Sequence, residues 1–274
     1  MEHVGCHAPF SPRCVARTGD RTVVYLAVIY SLLLLPPLLN AQGSAGSGAK
    51  LEPRFIIDMP TAGMLDRSAV AADLEFYQNG GLLVGVSYGV LGWFSLGFSY
   101  GGTNLIGSES PVMNPVPCVD VRFRIIDENV ALPAIVLGFN TQGRDGYIEE
   151  SSRYVFKSPG LFACVSKNYL MLGFLSLHAG VNYTLERADG DKSLNIYAGA
   201  EKTLASFLSV VAEYNIALND NISGGKGRGY LNFGLRCTLG GGLTMAFAFK
   251  DVLRNSRELS LVNRAAYFEF VHGF

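Results

Sequence analysis

The chain has 274 residues, with 22 Lys and Arg against 23 Asp and Glu, so its net charge is close to zero. This balance gives no support for binding to nucleic acid, and no run of like charges marks an acidic or basic tail. Hydrophobic residues make up 49% of the chain, yet beyond residue 41 no uninterrupted apolar run reaches the length of a transmembrane helix. Hydrophobicity without such a run is typical of a transmembrane β-barrel, because only every second residue of its strands meets lipid.

The N-terminus has the three parts of a secretory signal peptide. Arginines precede the apolar segment 23–39, and small residues follow it. We expect cleavage after Ala41 or nearby, so residues 1–41 are the predicted signal peptide. The alternative is an uncleaved N-terminal anchor helix, but Pro36 and Pro37 argue against it.

The stretch after the signal peptide is predicted to precede the folded domain. Residues 42–50, QGSAGSGAK, have the composition of a flexible linker. Residues 51–67 hold two prolines and a short apolar core at 55–57. We expect this stretch to lie on the periplasmic side or to tuck into the mouth of a barrel. Residues 42–67 are therefore predicted as a flexible periplasmic segment, and residues 68–274 as the barrel.

Twelve segments place large apolar side chains on every second residue, with polar or small residues between them, which is the period of a β-strand. The number is about twelve, within roughly ten to fourteen, because single-sequence reading merges or misses short strands. The predicted fold is an all-β antiparallel transmembrane barrel. Its predicted strands are residues 69–77, 82–90, 94–100, 119–126, 132–140, 161–168, 175–185, 194–203, 208–218, 231–239, 243–249 and 266–274.

The connections between these strands sort by length. Counted back from the C-terminus, one end of the barrel takes residues 251–263, 219–229, 186–192, 141–160, 101–117 and 78–81. The other end takes residues 240–242, 204–207, 169–174, 127–130 and 91–93. Long extracellular loops and short periplasmic turns are typical of outer-membrane barrels. A secreted soluble β-sandwich is the alternative, and it has no reason to sort its loops in this way.

The alternation directs a set of charged and polar side chains toward the barrel axis. These are Asp73, Glu75, Asp120, Arg122, Arg124, His178, Asn182, Glu201, Glu213, Arg236, Lys250 and Glu269. Position along the strands predicts that Glu213 pairs with Arg236 and that His178 lies at the depth of Glu201. Because isolated buried ions are costly, we expect a network of ion pairs that fills the lumen. The alternative is a selective polar pathway, for which Arg122, Arg124, Glu213 and Arg236 are the candidates.

Motifs for catalysis are lacking. After the signal peptide the histidines are His178 and His272, neither lies beside a nucleophile motif, and no G-x-S-x-G or H-E-x-x-H is present. We therefore predict no enzymatic activity, no cofactor and no metal site. Three cysteines remain, Cys118, Cys164 and Cys237. Their odd number predicts no disulfide framework, with a bridge between Cys118 and Cys164 as the remaining option.

The last strand carries aromatic residues two apart. Phe268 and Phe270 are followed by Phe274 at the end of the chain. This pattern is similar to the C-terminal signal that the barrel-assembly machinery recognises in outer-membrane proteins. His272 stands where a further aromatic residue is usual.

Five segments resemble the YjbH-like family, which comprises outer-membrane barrels associated with exopolysaccharide. They are IIDMPTAGMLDR (56–67), LGFSYGGTNLIGS (96–108), ALPAIVLGFNTQG (131–143), SPGLFACVSK (158–167) and EYNIALND (213–220). The resemblance implies a non-enzymatic barrel in the outer membrane that assists the production or export of surface polysaccharide. Its expected partners are outer-membrane lipid, the barrel-assembly machinery, and polysaccharide or export components, with no nucleic acid. A small porin or a purely structural barrel is the alternative within membranes.

Overall fold

The computed structural model describes residues 52–222, 224–259 and 262–274. The predicted signal peptide and the linker at 42–50 lie outside the described residues. The described part is almost entirely strand and loop, with two short 3-10 turns at Glu149–Ser151 and Leu218–Asp220. It contains no helix of the length and apolar character needed to cross a membrane.

Fifteen strands follow one another in the described residues. They are β1 Ala69–Tyr77, β2 Gly81–Leu91, β3 Phe94–Thr103, β4 Val112–Met113, β5 Cys118–Ile126, β6 Ala134–Asn140, β7 Arg144–Ile148, β8 Arg153–Phe156, β9 Gly160–Leu170, β10 Phe174–Tyr183, β11 Asn195–Ala205, β12 Leu208–Asn215, β13 Tyr230–Gly240, β14 Leu243–Lys250 and β15 Asn263–Gly273.

Twelve of these strands close into a barrel. Each pairs antiparallel with its neighbours, and the circle closes because β1 pairs with β15 and also with β2, which in turn pairs with β3. The remaining three belong to the connections: β4 extends the end of β3, and β7 and β8 form a separate hairpin between β6 and β9. The predicted twelve-stranded antiparallel barrel is confirmed. Closure removes every sheet edge, which a bilayer requires because lipid offers no hydrogen-bond partners.

The strands form where apolar and polar residues alternate, and the two sets take opposite faces of the wall. On β13 and β14 the outward side chains Phe233, Leu235 and Phe247 are 42%, 48% and 49% exposed. The inward Arg122 and Glu213 are each 1% exposed. This is the reverse of a soluble protein, which buries aromatic residues and leaves charges in water. The soluble β-sandwich is therefore wrong.

The connections sort to the two ends of the barrel as predicted. We call one end the loop rim; it carries residues 78–80, 104–117, 141–159, 184–194, 216–229 and 251–262. We call the other end the turn rim; it carries residues 92–93, 127–133, 171–173, 206–207 and 241–242.

One connection of the turn rim is longer than expected. The turn that begins at residue 127 is predicted to end at Val130, but β6 begins only at Ala134, so the connection is residues 127–133. Pro133 has no N–H to offer the sheet. The side-chain oxygen of Asn129 instead accepts the backbone amides of Ala131 and Leu132, both at 2.9 Å.

We expect a charge on the outward face to destabilise the barrel. Leu235 is the sixth of the eleven residues of β13, so Leu235→Lys should place an ammonium near the middle of the bilayer. We expect it to lower the free energy of unfolding by roughly 2–4 kcal/mol. Urea titration in lipid vesicles, followed by the fluorescence of the single Trp93, measures this change.

Val116→Lys is the matched control, because Val116 lies in the loop between β3 and β5 and is 60% exposed. Equal stability of the two variants would contradict a lipid-facing position for Leu235.

Candidate functional site

The lumen is occupied by a segment of the chain that precedes the first strand. We call residues 53–64 the finger. It folds back on itself through hydrogen bonds from the Ile56 amide to the Met59 carbonyl, 2.8 Å, and from the Thr61 amide to the Arg54 carbonyl, 3.0 Å. Gly63 lets its two arms close, because a Cβ there would lie 2.3 Å from the carbonyl oxygen of Pro53.

The finger is buried along its length and packs against the inner wall. Ile56 and Met59 are 1% and 2% exposed, and they belong to one apolar cluster with Val136 and Phe162 of the wall. The wall makes room at Gly199, where a Cβ would lie 2.8 Å from Cγ2 of Ile56. Residues 53–64 therefore lie within the lumen. They are not a flexible stretch on the periplasmic side, which was one of the two predicted placements.

Glu213 holds the tip of the finger. Its Oε2 accepts hydrogen bonds from the backbone amides of Ile57, Asp58 and Met59, each at 2.9 Å. Its Oε1 accepts a hydrogen bond from Nδ2 of Asn232 at 2.8 Å. Four donors on one buried carboxylate compensate for the water that it loses.

The predicted pair of Glu213 with Arg236 is wrong. The register of β12 and β13 places Glu213 opposite Asn232 and places Arg236 opposite Ser209, four residues along the strand. Arg236 instead contacts Glu201 on β11. It also donates to the finger carbonyls of Phe55 and Ile56, at 3.0 and 2.7 Å.

His178 is also displaced from its expected neighbour. It lies opposite Gly199, whereas Glu201 lies opposite Ser176. Nδ1 of His178 is 2.7 Å from Oγ of Ser166, and the same hydroxyl accepts the Ala62 amide at 2.9 Å. His178 therefore positions a finger contact and does not face a carboxylate.

Arg54 links the finger to the wall strands on either side of the β1–β15 seam. Its guanidinium donates to Asp73 at 2.6 and 2.8 Å, to Glu269 at 2.8 and 3.1 Å, and to Oγ of Ser87 at 2.7 Å. Two carboxylates that would repel each other are bridged by one cation. This role of Arg54 was not predicted, because Arg54 lies before the first strand in a stretch with linker-like neighbours.

Two arginines of β5 bind the arms of the finger. Nη1 of Arg122 donates to the Arg54 carbonyl at 2.8 Å, and Nε donates to Asp120 at 2.9 Å. The Arg122 guanidinium also lies 4.6 Å from the centre of the Phe55 ring, a cation–π contact. Arg124 contacts Glu52 and donates to the Ala62 carbonyl at 2.6 Å.

A cluster of buried charges joins the finger tip to the loop rim. Nζ of Lys250 lies 3.1 Å from Asp58 and 3.2 Å from Asp145. Arg144 lies 2.6 Å from Glu75. Arg144 and Asp145 are the first two residues of β7, so the β7–β8 hairpin meets the finger inside the lumen. Neither residue was predicted to lie in the lumen, because residues 141–160 were predicted to form an outside loop.

The β7–β8 hairpin is itself fixed over the loop end of the barrel. Arg153 contacts Asp220 and lies 3.0 Å from Asp189, and Lys157 lies 2.6 Å from the same Asp189 carboxylate. Val155 and Phe156 pack with Ala217 and Tyr230 in an apolar cluster. The lumen is thus filled from the turn rim by the finger and covered at the loop rim by this hairpin.

Glu186 anchors β8, the second strand of the same hairpin, near its start and just beyond its end. Its carboxylate accepts the amides of Tyr154 and Ser158, each at 2.9 Å. Burial raises the pKa of the Glu186 carboxyl, and these amide hydrogen bonds oppose that shift.

A cavity of about 130 Å³ remains beside the finger. On one side its wall is built of the small residues Gly85, Ser87, Gly97 and Ser99, and its other lining includes carboxylates and Arg54. A cavity of this volume has room for several water molecules. It is smaller than the roughly 300–1,000 Å³ of small-molecule sites.

The other predicted residues are placed as follows. Cys118, Cys164 and Cys237 are free thiols, and the described residues contain no group of side chains suited to hold a metal ion.

Phe268 and Phe270 lie on the outward face of β15, where Phe268 packs edge-to-face on Phe76 at 5.9 Å. His272 lies between Phe270 and Phe274, with ring centres 6.5 and 4.9 Å away. Their recognition by the assembly machinery stays a prediction.

Comparison with known proteins gives little beyond the fold. No family model matches the chain, and no curated protein matches it. Among solved structures, a protein described as KdgM porin is similar, with 9% sequence identity and a TM-score of 0.44 over 75% of this chain and 99% of that one. The resemblance to the YjbH-like family therefore stays a hypothesis.

We expect Glu213→Ala to loosen the finger. The variant would leave three finger amides and the Asn232 side chain without their acceptor inside the lumen. The loss should be about 3 kcal/mol or more in the free energy of unfolding, because buried donors without partners are costly. A melting curve of the detergent-solubilised barrel measures it.

Glu213→Gln is the control for this experiment. It keeps one carbonyl oxygen that can accept the finger amides, so its melting temperature should lie between those of the wild type and Glu213→Ala. A wild-type melting temperature for Glu213→Ala would show that these bonds do not hold the finger.

Proposed function

We propose that this protein is a non-enzymatic outer-membrane β-barrel that its own finger keeps closed, and that it assists the production or export of surface polysaccharide. The observation that carries the closed state is the finger within the lumen, bound at its tip by Glu213. The polysaccharide role is supported by the resemblance of five segments to the YjbH-like family.

The outer-membrane location is supported by the chemistry of the outward face. A belt of exposed apolar side chains surrounds the wall, and such a surface is stable in lipid and not in water. At the turn rim, Trp93, Phe207 and Phe274 are 54%, 56% and 87% exposed. Exposed aromatic rings at one level of a barrel are typical of the membrane–water interface.

A closed barrel fits the contacts better than an open pore does. The polar groups of the inner wall bind the finger backbone: Glu213 accepts its amides, while Arg122 and Arg236 donate to its carbonyls. In an open channel those charges would face water and need no backbone partner. The wall is thus complementary to a protein segment.

A gated small porin is the second candidate. The observation that favours it is the wall of small residues on β2 and β3, which leaves a cavity beside the finger. If the finger left the lumen, the remaining surface would be polar and lined by both signs of charge. The two functions differ in whether the finger ever leaves under native conditions.

Conductance in planar bilayers distinguishes these functions. We expect the wild-type barrel to be silent and a variant that lacks residues 53–64 to form ion-conducting pores. The ends that the deletion joins are close together, because a Cβ on Gly63 would lie 3.0 Å from the carbonyl oxygen of the retained Glu52. Glu213→Ala is the graded variant and should open transiently.

The folded state of each protein is checked by its heat-modifiable migration in a detergent gel. Steady conductance from the folded wild type would favour the porin, whereas a folded deletion variant without conductance would contradict closure by the finger.

The polysaccharide role is tested in the cell. We expect deletion of the gene to reduce surface polysaccharide, and the full-length chain to restore it. Val116→Lys, which changes an exposed loop residue, is the control that should restore it equally. Unchanged polysaccharide in the deletion strain would contradict this role and leave the barrel itself unaffected.

A further inference from the structure

The exposed charges of the loop rim are divided between two halves. The loops at 184–194, 216–229 and 251–262 are consecutive around the barrel, because they join β10 to β11, β12 to β13 and β14 to β15. The loops at 78–80, 104–117 and 141–159 form the other half. There the residues that are both exposed and charged are Glu109, Glu149 and Glu150.

The first half carries a set of exposed cations. We call five of them the basic patch: Lys226, Arg228, Arg254, Arg257 and Arg264. Lys192 lies exposed on the adjoining loop. Within the described residues of these two loops, 216–222, 224–229, 251–259 and 262, the exposed carboxylate is that of Glu258. The patch therefore has a clear excess of positive charge.

Backbone contacts between the two loops hold the patch together. The Lys226 amide donates to the Asn255 carbonyl at 2.9 Å, and the Arg257 amide donates to the Gly224 carbonyl at 2.8 Å. Nζ of Lys226 also donates to the Arg254 carbonyl at 2.9 Å. Cations on two separate loops are thus fixed beside one another.

The two aspartates of the same loops, unlike Glu258, are turned inward and bound by protein groups. Asp220 is 2% exposed and binds Arg153 and the Tyr230 hydroxyl. Asp251 is 1% exposed and accepts the amides of Asn255 and Ser256, each at 2.8 Å. Their oxygens are thus occupied by protein donors, and Asp251 is the one whose charge also interacts with a cation of the patch, Lys226.

The patch extends onto the outward side of the wall. Arg264 is on the outward face of β15 and lies opposite Phe249, whose side chain is 53% exposed. Exposed aliphatic residues stand on the same loops: Ile222, Val252 and Leu253 are 58%, 37% and 52% exposed. Cations mixed with aliphatic side chains beside an apolar belt suit the level of lipid head groups.

We propose that the basic patch binds the phosphate groups of a phosphorylated glycolipid in the outer leaflet. The proposal rests on the proposed outer-membrane location with the loop rim outward. Clustered cations bind phosphate by charge-assisted hydrogen bonds. The neighbouring aliphatic and aromatic side chains contact acyl chains, which a soluble polyanion lacks.

The test uses the full barrel refolded in phosphatidylcholine nanodiscs, with bisphosphorylated lipid A and dephosphorylated lipid A as probes. We expect the first to be retained on the barrel in native mass spectra and the second to be lost. Lys226→Gln/Arg228→Gln/Arg264→Gln should weaken retention by at least about tenfold, since each cation near a membrane surface contributes severalfold to binding of anionic lipid.

Arg67→Gln is the control, because Arg67 is exposed just before β1, away from the patch, and it should bind as the wild type does. If the triple variant does not fold, the single variant Arg264→Gln is measured instead, and a smaller loss of lipid A retention is expected. Equal retention of both lipids, or of wild type and triple variant, would overturn the proposal. Binding of a soluble acidic polysaccharide such as alginate as strong as that of lipid A would also overturn it.

The failure of this proposal is distinguishable from the failure of the proposed function. A wild-type barrel that shows no heat-modifiable migration and does not enter nanodiscs would contradict the outer-membrane assignment itself. A barrel that enters nanodiscs and shows heat-modifiable migration, but does not distinguish the two lipids, would overturn only the glycolipid site.

Discussion

The need to pair every charge that is buried in the lumen is the constraint on which this structure depends. Arg122, Glu213 and Lys250 are each no more than 1% exposed, and an ion without a partner in such a place is costly. The wall does not satisfy them alone. Glu213 takes three amides of the finger, and Arg122 takes one of its carbonyls. The finger is therefore the structural complement of the inner wall, and the charges that make the lumen polar are also what hold the finger in place.

The same constraint connects the two ends of the barrel. The finger comes from the N-terminal side of β1, and its tip residue Asp58 lies 3.1 Å from Lys250. Lys250 in turn lies 3.2 Å from Asp145 in the hairpin connection of the loop rim. A movement of that loop changes the partners of Lys250, and so the environment of the finger tip. The contacts thus join the finger and the β7–β8 hairpin in one electrostatic network.

The wall could be predicted from the sequence because its physics is local. Alternation with period two, seen for example in Leu231, Phe233 and Leu235 against Asn232 and Arg236, fixes which face each side chain takes. Pairing across strands could not be predicted in the same way. Arg236 lies opposite Ser209 and not Glu213, because strand register depends on tilt and turn geometry around the whole barrel. The contacts of the finger, for which the sequence left two placements open, could not be predicted for a different reason: Arg54 and Asp58 have no periodic pattern, and their roles arise only from the wall that surrounds them.

Net charge was the least informative property of the chain, and the structure gives the reason. The net charge of the chain is near zero, but the charged side chains are arranged differently inside the barrel and on its surface. Inside, opposite charges are paired at hydrogen-bonding distance, as in Arg54 with Asp73 and Glu269. Outside, the signs are separated, with Glu149 and Glu150 on one half of the loop rim and Lys226 and Arg228 on the other. Asp220 of the basic half is paired with Arg153 from the loop at 141–159. This pairing removes an acid from the surface of the basic half and a cation from that of the acidic half, and so sharpens the separation of charge between them.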